Sequence, residues 1–517
     1  MKKFVFLIAA QFLFASTKYI TYKQTLYLSG GSLDVIQTEG IKYLNDLRQK
    51  AGMIPLVLND ALNIAAVNHS NYCVINNYAG HEEYEGYEGF TGEWPSDRAV
   101  YAGYKSTQVL ENLSTNNKDV NDSIDNLFSA VYHRLGFLNE SIDEIGIGYA
   151  SGGTIGNVYT YDMGNGYINN LCSQSSFDIN GAYYYNVCAD ETLKIPVEIW
   201  DGNTSINMSQ NPDIILWPYK DANDVPPVFY EESPDPLPDY GVSGYPVSVK
   251  FNQYYFKKPP LLQEFKLYDD QMNEITDTRL LTSQTDPNNH LSDYEFVLFP
   301  LKRLEWGKTY NVKASFLNQD SNESIVLDWS FKTRSLPYPY YKITEDYTVL
   351  NVLANKKYAL YFVPQGPDDK ITGWGASYSC EFNSSFIDLN TIDIELSGDI
   401  GGFVELSLNN GKKVKLIISN EENSSLITQN ENVESEQNAQ VDPLNTYIQT
   451  LNDGWHIVAS SENVDFKNIT SEYQIIWTYK NSKWCGYSNN EAVKNVLVQK
   501  NIYCEGTEPN QAFWILK

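Results

Sequence analysis

Positive charge is scarce in this sequence. Only 37 Lys and Arg stand against 65 Asp and Glu, a formal net charge of −28 over 517 residues. A surface of that sign repels phosphate backbones and anionic membranes, which argues against a nucleic-acid partner. Long apolar runs are lacking too. Beyond the first 16 residues no stretch approaches the ~20 residues a spanning helix needs, so no transmembrane anchor is expected. The common catalytic signatures are missing: no G-x-S-x-G elbow, no H-E-x-x-H helix, no phosphate-cradling Walker loop and no paired C-x-x-C zinc site. His81-Glu82-Glu83 lacks the second histidine of a zinc-protease helix, and GIGYASGG belongs to a hairpin. Histidine itself is rare, with five in the chain.

What is present begins with MKKFVFLIAAQFLFAS. Lys2 and Lys3 precede an apolar run from Phe4 to Ala15 and small residues at 15 and 16. Residues 1–16 read as a secretory signal peptide, the alternative being an uncleaved N-terminal anchor. Export leads to the cell surface, the periplasm or the medium, and permits disulfides. Cys172 and Cys188 flank a polar turn, and Cys485 and Cys504 bracket the last module. These two pairs are expected as disulfides, leaving Cys73 as a buried thiol on a helical stripe and Cys380 unassigned. Aromatic residues make up 14% of the chain, enough with the aliphatics to build several cores.

Helical periodicity is concentrated between 32 and 136. One helix carries Leu33, Ile36, Leu44 and Leu47 and stops at Gly52. A second starts at Asn59 or Asp60 and places Leu62, Ala66, His69 and Cys73 on one face, so His69 reads as a core histidine. A third starts near Asp119 or Asn121 and runs on to His133. The Gly-, Glu- and Tyr-rich stretch 80–104 reads as irregular, with Glu82, Glu83, Glu85, Glu88 and Glu93 on a solvated loop. Asp97-Arg98 reads as an ion pair or a loop end. EIGIGYA (144–150) and NVYTYDM (157–163) form a hairpin around SGGTIG. Helices around such a hairpin imply an α/β/α sandwich over 32–190, including a disulfide-bearing extension.

From about residue 190 the pattern changes to short alternating runs. An immunoglobulin-like sandwich is expected over 195–335 and a further β domain over 338–420. In the second, Asn410-Gly411 reads as a type I′ hairpin turn. The proline-rich EESPDPLPDYG (231–241) excludes helix interior and reads as an edge or connecting loop. Residues 421–442 are polar and acidic and read as a linker. Residues 443–517 form a small aromatic β module, whose Trp and Tyr residues read mostly as core, with a docking platform as the alternative.

Several separated motifs occur in one order: LNDLRQKAGMIPLVLNDALNIAAVNHSNY, then His81, GFTGEWPSDRAVYAGY, Glu111-Asn112-Leu113, His133-Arg134 and Ile145-Gly146-Ile147-Gly148. Residues 32–165 thereby resemble bacterial domains of the CAP, or SCP-like, superfamily of cysteine-rich secretory, antigen 5 and pathogenesis-related proteins. The resemblance implies an open cleft lined by His81, Glu111 and His133. The family's second acidic residue would fall near Ala130, which cannot ligate; Glu82, Glu83 and Asp125 are the candidates to replace it. Two imidazoles beside a carboxylate suit a divalent metal such as Zn²⁺, held by His81 and His133 with Glu111 behind them. The bland alternative is that these groups only satisfy each other.

The resemblance carries no common activity. A non-enzymatic extracellular binding protein is therefore expected, with a small hydrophobic ligand, a peptide or a cell-surface component as partner. A metal-dependent hydrolase or peptidase, with Glu111 as general base, is the alternative. A third reading makes the N-terminal domain a cap on a surface-attached β stalk.

Overall fold

The computed structural model describes residues 33–429 and, within 455–516, all but 461–463, 470–472, 474, 481, 482, 489, 501 and 508–510. The expected leader lies outside these residues, as does the linker beyond 429. The chain divides into two compact units, residues 1–429 and 430–517.

The first unit opens with helix α1 (Leu33–Lys50), strand β1 (Val57–Leu58), α2 (Asp60–Asn76), α3 (Pro95–Tyr101), β2 (Leu110–Thr115), α4 (Val120–Ser129), α5 (Val131–Phe137), β3 (Glu144–Gly152) and β4 (Gly156–Gly164). The four strands form one sheet in the order β1-β3-β4-β2, parallel only between β1 and β3. Side chains alternate across it. Ile145, Ile147, Tyr159, Tyr161 and Met163 point to one face, where they pack with Ile36 and Leu44 of α1 and Ile124 and Leu127 of α4. The opposite face is covered by α2, whose Ser70 hydroxyl meets that of Thr160 at 2.9 Å. This is the expected α/β/α layering.

Against β3, helix α2 packs directly on the strand backbone. A Cβ at Gly146 would sit 2.0 Å from the Leu62 carbonyl carbon, and one at Gly148 would sit 2.1 Å from the Ala66 oxygen. The two glycines of the GIG run exist for this close approach. Asn59 caps the helix through bonds from the Ala61 and Leu62 N–H groups, as its residue type predicts.

Three helical details differ from expectation. The third predicted helix is broken: Ala130 is extended (φ −75°, ψ 119°), so His133 rides on the separate α5. The stretch 80–104 contains α3, started by Pro95 and by the Asp97 carboxylate accepting the Trp94 N–H at 3.0 Å. Beyond β4, α6 (Gly166–Leu171), the Cys172–Cys188 disulfide and α7 (Val197–Gln210) extend the domain. Helix α7 falls where the sandwich was expected to begin. Its apolar residues keep no regular stripe, and it is tied instead to the first domain by Asn207 and Asn211, which donate to the Ser141 and Glu140 carbonyls.

The sandwich proper begins at Ile214. Its sheets are 278–281, 295–300, 247–251, 214–217 and 261–268, 309–317, 324–333, 222–225, each in spatial order. A second sandwich pairs the sheet 340–343, 357–362, 391–397, 381–388 with the sheet 347–352, 413–418, 403–408, 374–378 around its own core. In its 403–418 hairpin only Gly411 takes a positive φ (87°), not Asn410. The turn is thus not type I′; Gly411 N–H bonds Leu408 O, and Leu408 N–H bonds Lys412 O, a longer loop with one left-handed residue. Residues 421–429 are not a linker. Glu422 bonds Lys356 and the Tyr358 hydroxyl, Ile427 pairs with Tyr340, and Gln429 bonds Leu336 and Trp306.

The core of the first domain runs on into the first sandwich. Phe128 at the end of α4 stacks on Trp217 with ring centroids 4.3 Å apart. The Tyr245 hydroxyl accepts from the Trp217 indole and donates to the Phe128 carbonyl.

The second unit has a four-stranded sheet (Trp455–Ser460, Gln511–Leu516, Ile475–Lys480, Lys483–Tyr487), a helix at Glu491–Gln499 and the Cys485–Cys504 disulfide. Phe466, Tyr487 and Phe513 form its core, whereas Tyr479 and Trp484 are exposed. Among the described residues Cys73 and Cys380 are free thiols, and no helix is long and apolar enough to cross a membrane.

Candidate functional site

Strand β2 carries Glu111 on the sheet face that α2 and α3 cover, and its carboxylate gathers the site. His81, on the loop after α2, places Nδ1 at 2.8 Å from Glu111 Oε1. Arg98 of α3 donates to Glu111 Oε2 at 2.6 Å and to the His81 and Glu93 carbonyls at 2.9 and 3.2 Å. Arg98 therefore pairs with Glu111, not with Asp97. The ring centroids of His81 and His133 stand 6.1 Å apart. So the His81 and His133 rings, separated along the chain, meet at one opening, and the expected third member, Glu111, lies buried beneath it. Exposure is graded: the His81 side chain is 42% exposed, His133 14%, Glu111 1%.

Below the opening lies a sealed polar cluster. His69 is indeed buried, but it is no bland core residue. Its Nδ1 meets Glu83 Oε1 and its Nε2 meets the Gly80 carbonyl, both at 2.9 Å, so both ring nitrogens are engaged. His69 also stands 3.8 Å from Glu111 Oε1. Glu83, expected on a solvated loop, is fully buried, and it further accepts from the Thr91 N–H at 2.7 Å. Glu85, Glu88 and Glu93 are exposed. Burial alone would raise the Glu111 carboxyl, but His69, the His81 bond and Arg98 outweigh it and hold the group at about 2. Burial and neighbouring Glu111 push the Cys73 thiol, on the same face of α2, up to about 12.

Asp162 completes this cluster. It is the register partner of Glu111 across β2 and β4, fully buried, with neither carboxyl oxygen in a hydrogen bond to a donor. Burial and the adjacent Glu111 push its acid well above the usual carboxylate range, against the pull of Arg98.

His133 is held from elsewhere. Its Nδ1 lies 3.0 Å from Glu232 Oε2, and the same carboxylate accepts from the Val131 N–H at 2.6 Å and the Tyr132 N–H at 3.2 Å. The Glu232 side chain is 2% exposed. Glu232 sits in the proline-rich segment, which is a strap joining the short strands Val228–Phe229 and Ser243–Gly244 of the sandwich. The three candidates to fill the Ala130 vacancy do not: Asp125 accepts from the Tyr43 hydroxyl at 2.6 Å and faces Arg334, Glu82 accepts from the Tyr84 hydroxyl, and Glu83 is bound to His69. The one sequence signal for Glu232 was an acidic pair at the head of a proline-rich run. Asn112 is buried and donates to the His133 carbonyl at 2.8 Å.

Both imidazoles thus have Nδ1 on a carboxylate and Nε2 without a partner among the described residues. That donor set fits a divalent ion. Carboxylate–imidazole–metal chains are the common second-layer pattern, and Zn–N bonds of ~2.0–2.1 Å to two such rings hold the rings a few ångströms apart. No group of three or more His, Cys, Asp or Glu is arranged to hold a metal among the described residues. Two imidazoles would leave the remaining positions to water or ligand.

The model of the cysteine-rich secretory protein (CAP) family matches residues 41–163. No protein of curated function matches the chain. Among solved structures, an extracellular protein of Bacillus anthracis containing an SCP domain is 19% identical, over 26% of this chain and 42% of that one, with a TM-score of 0.22. An outer surface protein of Borrelia burgdorferi is 18% identical over 25% of this chain and 92% of its own, TM-score 0.22. Fibronectin(III)-like modules of Clostridium thermocellum CbhA are 12% identical over 40% of this chain and 94% of theirs, TM-score 0.14. The chain spans less than half the length of the Bacillus protein. Residues 41–163 form a CAP domain, and β-sandwich modules follow it in the chain.

Proposed function

We propose that the chain is an extracellular binding protein that takes its ligand at the two free imidazole nitrogens of the CAP cleft. The observation that carries this reading is the pairing of each Nδ1 with a buried carboxylate, which leaves two Nε2 atoms at one opening. A divalent cation such as Zn²⁺ suits those nitrogens and would bridge them to an acceptor group of a peptide or a cell-surface component. Two disulfides support an oxidising compartment, in keeping with the leader-like start of the sequence.

Binding is favoured over hydrolysis by the state of Glu111. A general base needs an open oxygen and a proton affinity near the working pH. Glu111 has one oxygen on His81 and the other on Arg98, is sealed from the cleft, and is held at about 2.

The test is metal content. Protein purified without chelator, and its His81→Ala and His133→Ala variants, are compared for bound Zn²⁺ by elemental analysis. Stoichiometric metal in the parent and loss in both variants is expected. Equal content in all three would remove the metal part of the reading.

A further inference from the structure

Helix α5 belongs to the CAP domain by sequence but is held by the sandwich. Val131 is buried among sandwich side chains that include Phe229, Leu237 and Phe299. The Tyr132 hydroxyl donates to Asp286 and accepts from the Asn288 amide at 3.1 Å. Arg134, fully buried, donates to the Pro246 carbonyl at 2.9 Å and the Ser248 hydroxyl at 3.2 Å, and stacks 5.0 Å from the centre of the Tyr245 ring. Val131, Tyr132 and Arg134, around His133 on its helix, are therefore each held in part by contacts across the domain boundary.

Glu232 extends this to the ring itself. Its carboxyl group already accepts from the Val131 and Tyr132 N–H groups, so a neutral His133 set against that acceptor carries its proton on Nδ1 and keeps its lone pair on Nε2. We propose that the β-sandwich is a working part of the cleft: Glu232, on the strap, fixes the tautomer and orientation of His133 so that its Nε2 lone pair faces the opening. Glu232 is a positioning residue; it touches the ring, not the ligand. The proposal rests on the reading of the two Nε2 atoms as donors to ligand, and it makes the ligand site a product of two domains.

Glu232→Gln separates positioning from support. The amide oxygen can keep the bonds now made by Oε1 to the Val131 and Tyr132 N–H groups, so the start of α5 stays satisfied. Its NH₂ then lies against His133 Nδ1 as a donor, which selects the Nε2–H tautomer and removes the lone pair from the cleft.

The experiment records imidazole ¹⁵N shifts of metal-free, full-length protein at alkaline pH, with His133 assigned by its glutamine variant, and then titrates Zn²⁺. The expected result is Nδ1–H in the parent and Nε2–H in E232Q. Zn²⁺ affinity should fall by about 10–100-fold with the unfolding midpoint nearly unchanged. A purely supporting role would lower the midpoint and leave the tautomer alone, which would overturn the proposal. So would an Nε2–H tautomer in the parent, a result that needs no folded variant. A parent with the expected tautomer but no Zn²⁺ binding would count against the proposed ligand chemistry and for the positioning role.

Discussion

Asp162→Asn should stabilise the protein at neutral pH, and the gain should disappear in acid. Asp162 is a buried acid whose register partner is the ionised Glu111 and whose own oxygens meet no donor. Its proton affinity in the fold is raised by burial and by Glu111. In the unfolded chain the same acid ionises above about 3.9. Above that pH the folded state holds one proton more than the unfolded state, so the folded state loses stability as pH rises. The slope is about 1.4 kcal/mol per pH unit for as long as the folded acid keeps its proton. From pH 4 to pH 7 the ceiling is therefore about 4 kcal/mol. Asparagine has no proton to keep, and its amide can still donate to Glu111. The contribution of Glu111 has the opposite sign: it is complete above its ordinary range near 4.5 and lost as pH falls toward about 2, in both proteins alike. Urea unfolding at pH 4, 5, 6 and 7, followed by tryptophan fluorescence, gives the difference between the two proteins. The slope is the test, since any fixed cost of the amide moves all four points together. A difference that is flat with pH, or an asparagine variant that grows weaker toward pH 7, would refute the neutral-acid assignment and make Asp162 a carboxylate held by Arg98.

Other perturbations have equally definite outcomes. Arg98→Met leaves Glu111 and Glu83 buried without their shared cation and should cost about 3–5 kcal/mol, read as a fall in urea midpoint. Gly148→Ala forces a methyl group to within 2.1 Å of the Ala66 carbonyl and must push α2 off the sheet. A loss of at least about 1–3 kcal/mol is expected, with altered His69 and His81 resonances. Replacing Cys172 and Cys188 by serine should lower stability by about 3 kcal/mol and abolish any further effect of reductant on that transition. Trp217→Ala opens the seam against Phe128 and should cost about 3–5 kcal/mol, shifting the unfolding of both neighbouring domains together.

Much of this architecture was legible because it is written in local periodicity. The stripe Leu62–Ala66–His69–Cys73 predicted α2 and its buried face, and the two apolar runs around SGGTIG predicted the β3–β4 hairpin. His81, Glu111 and His133 were found through ordered motifs rather than through spacing. Most of the failures depend on tertiary partners that local pattern does not name. Glu83 looks like any member of an acidic loop until His69 and Thr91 are folded against it. Helix α7 has no stripe because asparagines anchor it. The Ala130 break is invisible in sequence, since both sides of it are apolar and helix-compatible. Glu232 lies 99 residues beyond the ring it holds, in a segment whose prolines announce only that it is neither helix nor inner strand. The linker reading failed at 421–429 because polar residues there bond a sheet that composition does not name.

The Phe128–Trp217 stack has a mechanical consequence. Where two modules meet through exposed polar loops, they swivel, and strain on one is dissipated before it reaches the other. Here an indole wedges into the end of a helix and a phenol hydroxyl bolts both to the backbone. The two domains are therefore coupled at this seam as one packed body, and a rotation of the sandwich relative to the helix end must break the stack and both hydrogen bonds.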